Sequence, residues 1–588
     1  MSIIYMFLLI LIPTFLSFPK RNNLRKVDEI SEDIVILHLN DVHCGINDII
    51  GYDGFVLYRR ELQQKYKYII SVDVGDHIQG SALGATSDGA AIIKIMNEIK
   101  FDAVALGNHE FDYRIEALNK LEQSITCGYI CSNFCYKKNK TLVYEPYKII
   151  NAGDKAIGFI GVLTPLTFTK TYLSSLKDED GESIYDFLAN DGKEELYNTV
   201  QKYINELRNE KNVNYVILLS HMGMNGEEYT SEDLLSNLTG VDAVFDGQTH
   251  KVYNVTSKDK NGKDIHITQA GTKLESIGQL IIKSDGSLIA ETISEVPEPD
   301  NNFPNVKKVV RSNVERWVDE NMYNFINEVY DEYSDKEIIG ISDYDLIIQD
   351  TDDSHGIYCR YQECTVGNLI TDAIAKIGQG DFSIINGGSV RGNINKGIIT
   401  QDDIINALPW YNKLVIKELP GQVILDALEF GVRNYPEALD GFPQISSKLS
   451  FTFNPDITST VVTDANGIFI GITGERRIID VKINGKAIDL NKKYSVVFFD
   501  FLANGGDGYE MFNNFIISRE ALSTDTQSLS DFIRYELNGN IPERYAQTQG
   551  RIKISRGISS NLNSNSDDYN RTILPLHLAL LLYMLFLF

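Results

Sequence analysis

The stretch that decides the fold is Ala103-Val104-Ala105-Leu106-Gly107-Asn108-His109-Glu110, a short apolar run that ends in glycine and three polar residues. A short continuous apolar run that stops at such a turn is typical of a buried strand. The same layout recurs through the first half of the chain, where each run ends at or beside Gly, Asp, Asn or His. The runs cover residues 34–39, 68–74, 103–106, 156–162, 215–219 and 242–245.

Helical stretches separate several of these runs. Residues 90–99 and 194–209 repeat apolar side chains at helical spacing. Strands that alternate with helices predict βαβ units, in which sheets are buried between other layers. Because loops on a rigid scaffold often carry the chemistry of a protein, we expect the functional residues in the loops that follow the strands.

The chain is long enough for more than one domain. It has 588 residues, about four times a typical domain of roughly 150. Three prolines in residues 295–304 mark a boundary. The apolar residues from 306 to about 333 fit a long charged helix, which we interpret as a helical linker or hinge over 304–334. The predicted domains are therefore residues 30–300 and 335–554.

The net charge excludes one class of function. The chain has 55 basic and 81 acidic residues, a net charge of −26, and a pI near 4.8. Binding to nucleic acid polymers depends on basic groups that neutralise phosphates, so we expect no such partner. The same acidity would repel a small anionic substrate unless the binding pocket reverses the field locally.

Both ends of the chain are apolar. Residues 3–16 have the length of a signal-peptide core and are followed by Pro19-Lys20-Arg21, which predicts a signal peptide over 1–18. The alternative is an uncleaved membrane anchor.

At the other end, residues 573–588 form an apolar tail that follows a small, polar stretch. This order is typical of a GPI-attachment signal, which we place in 555–588. The candidate attachment residues are Asn561, Asn563, Ser564, Asn565 and Ser566. A tail-anchored helix is the alternative there.

These ends predict a protein on the extracellular face of the plasma membrane, held by a lipid anchor, or a secreted protein. Glycosylation sequons at Asn139, Asn237 and Asn254 agree with this location.

The six cysteines predict disulfides in such an oxidising compartment. Cys359 and Cys364 are close enough in sequence for a local disulfide. For Cys127, Cys131 and Cys135, mixed disulfide pairing is favoured over a zinc site because no histidine cluster lies near them. The partner of Cys44 stays open.

Histidines and carboxylates follow the predicted strands in a pattern typical of a metal site. Asp, His and Asn supply the mixed oxygen and imidazole ligands that hold divalent cations, and a shared carboxylate brings two cations together. We interpret His38, His77, His266 and His355 as structural. The loops that carry the pattern contain Asp41 and His43, Asp76, Asn108 and His109, His221, and His250.

These motifs resemble the calcineurin-like metallophosphoesterases, and more specifically the 5′-nucleotidase family, which includes ecto-5′-nucleotidases and bacterial UDP-sugar hydrolases. A second set of motifs extends the resemblance over nearly the whole chain: residues 359–364, 386–391, 408–410 and 501–508. The resemblance implies an α/β fold with an amino-terminal four-layer α/β/β/α sandwich. A helical connector and a carboxy-terminal α/β substrate-binding domain would follow.

The resemblance also implies the metal ligands. Asp41, His43 and His250 would hold one ion, Asp76 would bridge, and Asn108 and His221 would hold a second. The family usually has histidine where this chain has Gln248, which would offer a weaker amide oxygen to the second ion. We therefore expect two divalent ions, with zinc favoured and manganese or another ion as the alternative. His109, paired with Asp112, would stabilise the transition state.

The carboxy-terminal motifs imply a nucleotide pocket. By resemblance, Arg360 and Arg391 bind the phosphate and Asn386 belongs to the same pocket. Asp507 would hold the ribose hydroxyls. Trp410, where the family more often has Phe, and Phe501 would sandwich the base.

The implied activity is extracellular hydrolysis of nucleoside 5′-monophosphates such as AMP, through attack by a hydroxide held between two metals. Three alternatives lie within the fold: an apyrase-type di/triphosphate hydrolase, a UDP-sugar hydrolase, and a 2′,3′-cyclic phosphodiesterase/3′-nucleotidase. A surface binding or adhesion protein on a decayed enzyme fold is the non-enzymatic alternative.

The preferred base, the number of phosphates, the physiological metal and the oligomeric state stay open, and a homodimer is compatible with the resemblance.

Overall fold

The computed structural model describes residues 30–171, 176–178, 182–189, 193–224, 228–300, 303–348, 357–464 and 467–556. The predicted signal peptide, His355 and the candidate lipid-attachment residues Asn561 to Ser566 lie outside these ranges. Within them, no helix has both the length and the apolar character needed to cross a bilayer.

The amino-terminal domain contains two six-stranded sheets, the helices that cover them, and a separate two-stranded sheet formed by its fifth and eighth strands. Its strands are β1 (Ser31–Leu39), β2 (Tyr66–Asp73), β3 (Ala103–Ala105), β4 (Tyr129–Ile130), β5 (Cys135–Tyr136), β6 (Tyr147–Ala152), β7 (Lys155–Leu163), β8 (Tyr185–Asp186), β9 (Tyr215–His221), β10 (Ala243–Asp246), β11 (Val252–Lys258), β12 (Asp264–Ala270), β13 (Ile277–Ile282) and β14 (Leu288–Ile293). Its helices are α1 (Gly51–Leu62), α2 (Ala82–Thr86), α3 (Ala90–Ile99), α4 (Arg114–Ser124), α5 (Thr167–Lys170), α6 (Lys193–Asn209) and α7 (Ser231–Ser236).

The two sheets pack face to face. Their strand orders are β14-β13-β1-β2-β3-β4 and β11-β12-β10-β9-β7-β6. Ile36 of β1 and Phe159 of β7 are among the buried residues between them. Helices α1, α3 and α4 cover the outer face of the first sheet, and α6 and α7 cover that of the second. The predicted four-layer α/β/β/α sandwich is confirmed.

Parallel pairing places the functional loops at one edge of the sandwich. Strands β1, β2 and β3 are parallel neighbours in the first sheet, as are β9 and β10 in the second. The carboxyl ends of parallel neighbours point the same way, so the loops that follow them meet.

The connector differs from the prediction. Residues 306–319 form a hairpin of β15 (Val306–Arg311) and β16 (Val314–Asp319), and only α8 (Glu320–Tyr333) is helical. The predicted continuous helix from residue 306 to about 333 is therefore wrong in its first half. The β-branched valines favour strands, and Ser312 and Asn313 have φ values of 48° and 62°, which suits the tight turn of a hairpin. Helix α8 then begins where the Asp319 side chain accepts the Met322 amide at 2.8 Å.

The carboxy-terminal domain is built around a mixed sheet of order β21-β18-β27-β20-β28. Its strands are β17 (Ile338–Ser342), β18 (Phe382–Asn386), β19 (Gly397–Thr400), β20 (Lys413–Pro420), β21 (Pro443–Ile445), β22 (Leu449–Phe453), β23 (Val461–Thr463), β24 (Phe469–Ile472), β25 (Ile478–Ile483), β26 (Lys486–Ala487), β27 (Lys493–Phe499), β28 (Ile517–Thr524), β29 (Asn540–Ile541) and β30 (Ile552–Ile554). Its helices are α9 (Thr365–Gly378), α10 (Gln401–Ala407), α11 (Gly421–Gly431), α12 (Asp500–Ala503) and α13 (Asp525–Asp531).

Both faces of this sheet are covered. In β27, Val497 faces the core that contains α9, whereas its neighbours Val496 and Phe498 face the core that contains α11. This alternation is the period-2 pattern of a strand between two layers. Three further sheets of the described residues extend the domain, with orders β26-β25-β22-β30, β19-β17-β29 and β23-β24.

The cysteines follow the prediction only in part. Cys359 and Cys364 form a disulfide. Among the described residues Cys44, Cys127, Cys131 and Cys135 are free thiols, so the pairing expected among the last three is wrong. Cys127 precedes β4, Cys131 follows β4, and Cys135 is the first residue of β5. The Cys131 thiol lies 3.6 Å from Asn133 Oδ1 instead of beside another sulfur.

The three predicted glycosylation asparagines differ in exposure. Asn139 and Asn254 are exposed, and Asn237 is half-buried. The side-chain amide of Asn254 donates to Ala290 O at 2.6 Å, whereas Asn139 uses only its oxygen, which accepts the Thr141 amide at 3.1 Å. Asn139 therefore presents the most open amide nitrogen for the predicted modification.

Candidate active site

A cluster of metal-type side chains lies where the strand ends meet. One ligand atom each from Asp41, His43, Asp76 and His250 falls within 4.8 Å of the others. Asp41 and His43 follow β1, Asp76 follows β2, and His250 follows β10. Three of the four are buried, and His250 Nε2 lies 3.4 Å from Asp41 Oδ1.

The other predicted ligands border this cluster. His221, at the end of β9, has Nε2 3.0 Å from Asp76 Oδ2 and 3.7 Å from Asp41 Oδ1. Gln248 donates its backbone amide to Asp41 Oδ2 at 3.0 Å. Among the described residues, Asn108 Oδ1, His221 Nε2 and Gln248 Oε1 are buried without a hydrogen-bond partner.

Buried polar atoms are normally paired, so three open atoms beside two carboxylates need an explanation. Oxygen and imidazole nitrogen are donors that divalent cations take. The residues therefore fit two such ions. Asp41, His43 and His250 would hold one ion, and Asn108, His221 and Gln248 would hold the other. Asp76 faces both groups of residues. The prediction of a metal site is supported, and the identity of the metal stays a prediction.

Several residues of the same loops have positive φ angles. Positive φ angles occur at Asp41 (50°), His43 (46°), Asp76 (60°), Gln248 (89°) and His250 (57°). Residues other than glycine avoid this region, and structures retain it mainly where function requires a fixed side-chain direction. The strain thus marks the loops that aim the ligands.

Buried hydrogen bonds hold these loops in place. Glu110 accepts the backbone amides of Asp76, His77 and Gly107 at 2.8, 2.9 and 2.6 Å. Gly107 has to be glycine, because a Cβ there would lie 2.2 Å from Asp76 Oδ1. Glu110 therefore ties the loop after β2 to the loop after β3.

The two buried histidine ligands are oriented through their second nitrogen. His43 Nδ1 lies 3.1 Å from Gln79 O, and His221 Nδ1 lies 3.0 Å from Val74 O. Backbone carbonyls in these positions fix the ring and the tautomer, so that Nε2 faces the cluster.

The field inside the cluster favours cations. Burial alone would lower the pKa of His221, but Asp76 and Asp41 outweigh it and raise the pKa to about 10. Burial would raise the pKa of Asp76, but His221, His109 and His43 hold it well below its usual range. The Asp76 carboxylate is thus ionised in a buried site, which is the kind of charge that a bound cation neutralises.

His109 borders the cluster: its backbone amide donates to Asp76 Oδ1 at 2.8 Å, and its ring lies 5.1 Å from the His43 ring. Its Nδ1 lies 2.5 Å from Asp112 Oδ2. Burial lowers its pKa, but Asp112 and Asp76 outweigh burial and raise it above the ordinary value. An imidazolium held in this way presents Nε2–H as a donor.

The carboxy-terminal domain reaches this histidine. Arg391 Nη2 lies 3.3 Å from His109 Nε2. The Arg391 guanidinium stacks 4.9 Å from the centre of the Trp410 ring, and that ring lies 5.9 Å from the His109 ring. The Trp410 indole donates to Ser389 O at 2.7 Å, which fixes its orientation.

The remaining pocket residues lie beside Arg391. Asn386 donates to Asp507 Oδ2 at 2.8 Å, and burial together with the charge of Asp440 raises the pKa of Asp507 to about 7. Arg360 Nε lies 3.1 Å from Asp440 Oδ1. Burial and the neighbouring Arg360 lower the pKa of Arg391 to about 10.

The predicted two-ring clamp stays a prediction. Phe501 packs against the core that contains α11, and its ring lies so close to Gly506 that a Cβ there would be 2.5 Å away. The ring of Trp410 contacts Arg391 and His109.

The described histidines that were predicted to be structural lie outside the cluster. His38 Nε2 lies 2.8 Å from Thr268 Oγ1 between the two sheets. His77 lies between Asp73 and Tyr129, at 3.0 and 2.9 Å. His266 is in β12.

Two residues of the site were missed from sequence. Glu110 was part of the quoted motif, but nothing in the sequence distinguishes a carboxylate that accepts amides from one that binds metal. Asp440 belongs to no motif and is brought to Arg360 by the fold.

Two family models match the chain. The calcineurin-like phosphoesterase model matches residues 34–252, and the model of the 5′-nucleotidase carboxy-terminal domain matches residues 339–514. Between these two ranges lie the connector hairpin and α8.

Relatives extend the match beyond the single domains. The 5′-nucleotidase of Homo sapiens is 24% identical over 589 residues, which span 89% of this chain and 91% of that protein. The trifunctional nucleotide phosphoesterase protein YfkN of Bacillus subtilis is 25% identical over 558 residues, but this chain spans only 35% of its length.

A solved structure has the same fold. The 5′-nucleotidase precursor from Thermus thermophilus matches with a TM-score of 0.70 at 24% identity, over 89% of this chain and 99% of that one. Both domains, in this order, are thus shared with 5′-nucleotidases. The chain belongs to the 5′-nucleotidase family of metallophosphoesterases.

Proposed function

We propose that this protein hydrolyses nucleoside 5′-monophosphates such as AMP to nucleoside and phosphate. The observation that carries the proposal is the approach of Arg391 Nη2 to His109 Nε2, at 3.3 Å. When His109 is protonated both atoms are donors, so neither satisfies the other. A phosphoryl oxygen between them would accept from both, with the metal-type cluster on one side and the Asn386–Asp507 pair on the other.

The chemistry divides between the ions and the side chains. Two divalent cations, when bound, polarise a phosphoryl oxygen and lower the pKa of a water molecule. His109, held by Asp112, stabilises the negative charge that develops on the phosphoryl group. Arg391 and Arg360 bind the phosphate oxygens and orient the ester toward the cluster.

The nucleoside is bound by the carboxy-terminal pocket in this proposal. Asp507 accepts the ribose hydroxyls, and Asn386 holds its carboxylate in place through the 2.8 Å hydrogen bond. Phe501 and Trp410 offer aromatic surface to the base. Such surface accepts any base, so the pocket is selective for the ribose and the phosphate more than for the base.

The proposal resolves the charge problem. The whole chain carries a net charge of −26, but Arg360, Arg391 and two cations make the pocket attractive to a phosphate. The acidic exterior then repels polymeric anions without preventing the binding of a nucleotide.

A panel of four substrates tests the proposal. Phosphate release is measured with AMP, ADP, UDP-glucose and 2′,3′-cyclic AMP, before and after chelation and with metal restored. We expect the highest kcat/KM with AMP and no turnover in the chelated protein. Preference for one of the other three would assign the corresponding alternative activity, and no turnover of any with metal restored would overturn the enzymatic proposal.

We also propose that the protein is displayed on the outer face of the plasma membrane through a GPI anchor. The apolar run at residues 3–16 and the polar stretch and apolar tail of residues 559–588 support this location. Phosphatidylinositol-specific phospholipase C should release the protein from intact cells. Retention on the cells after treatment would favour a peptide span instead.

A further inference from the structure

Asp440 places a carboxylate among the cationic groups of the pocket. It lies in the segment between α11 and β21, and its Oδ1 is 3.1 Å from Arg360 Nε. Its side chain is 34% exposed, against 16% for Arg360, so the carboxylate faces open space on one side. No motif and no part of the proposed mechanism uses this residue.

The backbone fixes Asp440 in this position. Its carbonyl accepts the Gly388 amide at 2.8 Å, and the amide of the preceding Leu439 donates to Arg360 O at 2.9 Å. The segment is thus bonded both to the turn before Arg391 and to the residue that carries the facing guanidinium. The backbone of Asp440 cannot move away from Arg360 without breaking these hydrogen bonds.

The charge of Asp440 acts on every group around the expected phosphate position. Partial burial opposes its ionisation, but Arg360, Lys170, Arg391 and His109 outweigh burial and hold the pKa of Asp440 below its usual range. In the other direction, Asp440 adds to the burial that raises the pKa of Asp507. The carboxylate is therefore ionised and central to the pocket.

The contact with Arg360 is not that of a closed structural ion pair. Among the described residues, Asp440 Oδ1 and Arg360 Nε both lack a partner with hydrogen-bond geometry, although they are 3.1 Å apart. By contrast, the buried pair of Arg311 and Asp53 forms two hydrogen bonds, at 2.7 and 2.5 Å. The Arg360–Asp440 contact therefore leaves hydrogen-bonding capacity unused in both groups.

We propose that Asp440 is a specificity-determining residue that restricts the protein to substrates with a short phosphate chain. This inference rests on the proposed nucleotidase function. Each additional phosphate adds roughly one negative charge at neutral pH, and Asp440 lies beside Arg360, one of the two arginines proposed to bind phosphate. The fixed carboxylate offsets part of their charge and repels each added phosphate, whereas a nucleoside without phosphate is indifferent to it.

The test compares ligands that differ in charge. Adenosine, AMP, ADP and ATP are titrated into the metal-loaded wild type and the Asp440→Asn variant, with binding measured by competition against AMP turnover. We expect the variant to tighten ADP and ATP relative to AMP by about tenfold for each added charge, the factor for roughly 1.4 kcal/mol. Adenosine binding should not change, and high salt should reduce the differences.

Two further variants serve as controls. Asp426→Asn removes a carboxylate of the same domain that pairs with Arg476 and should leave all four affinities as they are. Asp440→Glu keeps the charge and should retain the discrimination of the wild type, which separates charge from folding damage. Circular dichroism checks the fold of each variant.

The outcomes separate the inference from the proposed function. An equal change for all four ligands, no change for any, or a wild type that binds ADP and ATP as tightly as AMP would overturn the role of Asp440. Failure of the wild type to hydrolyse AMP would instead overturn the proposed function.

Discussion

Arg391 Nη2 of the carboxy-terminal domain lies 3.3 Å from His109 Nε2 of the amino-terminal domain. A second contact supports this juxtaposition, because the Ala82 amide donates to Asn406 Oδ1 at 2.7 Å. The side chains of Ala82, Ala85 and Ile405 pack together beside it. The candidate site is therefore composite, with metal ligands from one domain and cationic pocket residues from the other.

Substitution of His109 should abolish most of the activity without unfolding the protein. His109→Ala removes the donor that Asp112 orients, and we expect kcat for AMP to fall by about 10²- to 10⁴-fold. Steady-state kinetics measure the loss, and thermal unfolding checks the fold. The matched control is His266→Gln, which lies in β12 outside the cluster and should retain wild-type kcat. A His109 variant with near-normal kcat would refute its assigned role.

Gln248 should determine how tightly the second metal binds. Its Oε1 is buried without a hydrogen-bond partner in the described structure, and an amide oxygen is a weaker ligand for zinc than imidazole. Gln248→His should therefore tighten zinc binding at one of two sites, and Gln248→Leu should weaken it. Calorimetric titration of the metal-free protein measures both. Identical affinities in the three proteins would show that Gln248 is not a ligand.

The connector hairpin is held to the sandwich by a buried ion pair. Arg311 donates to Asp53 Oδ1 and Oδ2 at 2.7 and 2.5 Å, and to Ile50 O at 2.8 Å. Arg311→Met should lower the free energy of unfolding by about 3–5 kcal/mol, because Asp53 is left buried without its cation.

A double variant distinguishes this cause from loss of packing. Arg311→Met with Asp53→Leu removes both charges and should regain much of the stability. Urea denaturation followed by tryptophan fluorescence reports on the change, since Trp317 is in β16. A cost below about 1 kcal/mol for the single variant would mean that solvent screens the pair.

Lys417 should make stability depend on alkaline pH. It is 2% exposed, and its Nζ donates to Ala503 O and Phe512 O at 2.7 and 2.9 Å. Burial lowers its pKa to about 8, below the roughly 10.4 of an unfolded chain.

Between these two values the unfolded chain binds more protons than the native protein, so the contribution of Lys417 to stability rises with pH. The free energy of unfolding of the wild type, relative to Lys417→Met, should therefore increase from about pH 8 to about pH 10. Urea denaturation at intervals across this range measures the difference. A constant difference would mean that the lysine keeps its ordinary pKa when the chain folds.

The amino-terminal architecture could be predicted because its signals are local. The apolar run 103–106 and the residues Asn108 and His109 that follow it are adjacent in sequence, and β3 with its loop is adjacent in space. Parallel pairing then brings such loops together without further information. The same reasoning identified Asp41, Asp76, His221 and His250, which the fold gathers at one edge.

The connector was mispredicted because its pattern fits two structures. Val309, Val310 and Val314 satisfy a helical period, but they also satisfy two strands joined by a turn at Ser312 and Asn313. The deciding interaction, Arg311 with Asp53, joins residues 258 positions apart. The periodicity of a sequence does not reveal a contact between residues so far apart.

The roles of Asp440 and Lys417 could not be predicted from sequence for the same reason. Asp440 meets Arg360 across a separation of 80 residues, and Lys417 meets the carbonyl of Ala503 across 86. Each is an ordinary charged residue in its local sequence. Only the folded domain gives them partners, and those partners determine their chemistry.

The central claim is that two divalent cations held by the Asp41–Asp76–His221 cluster make this protein a nucleotide phosphohydrolase. The most direct measurement titrates zinc or manganese into the metal-free protein while AMP hydrolysis and bound metal are recorded together. Activity should be absent without metal and should reach its plateau at about two ions per chain. Asp76→Asn, which removes the carboxylate that faces both groups of candidate ligands, should abolish that plateau. AMP hydrolysis by the metal-free protein, or full activity at one bound ion, would contradict the claim.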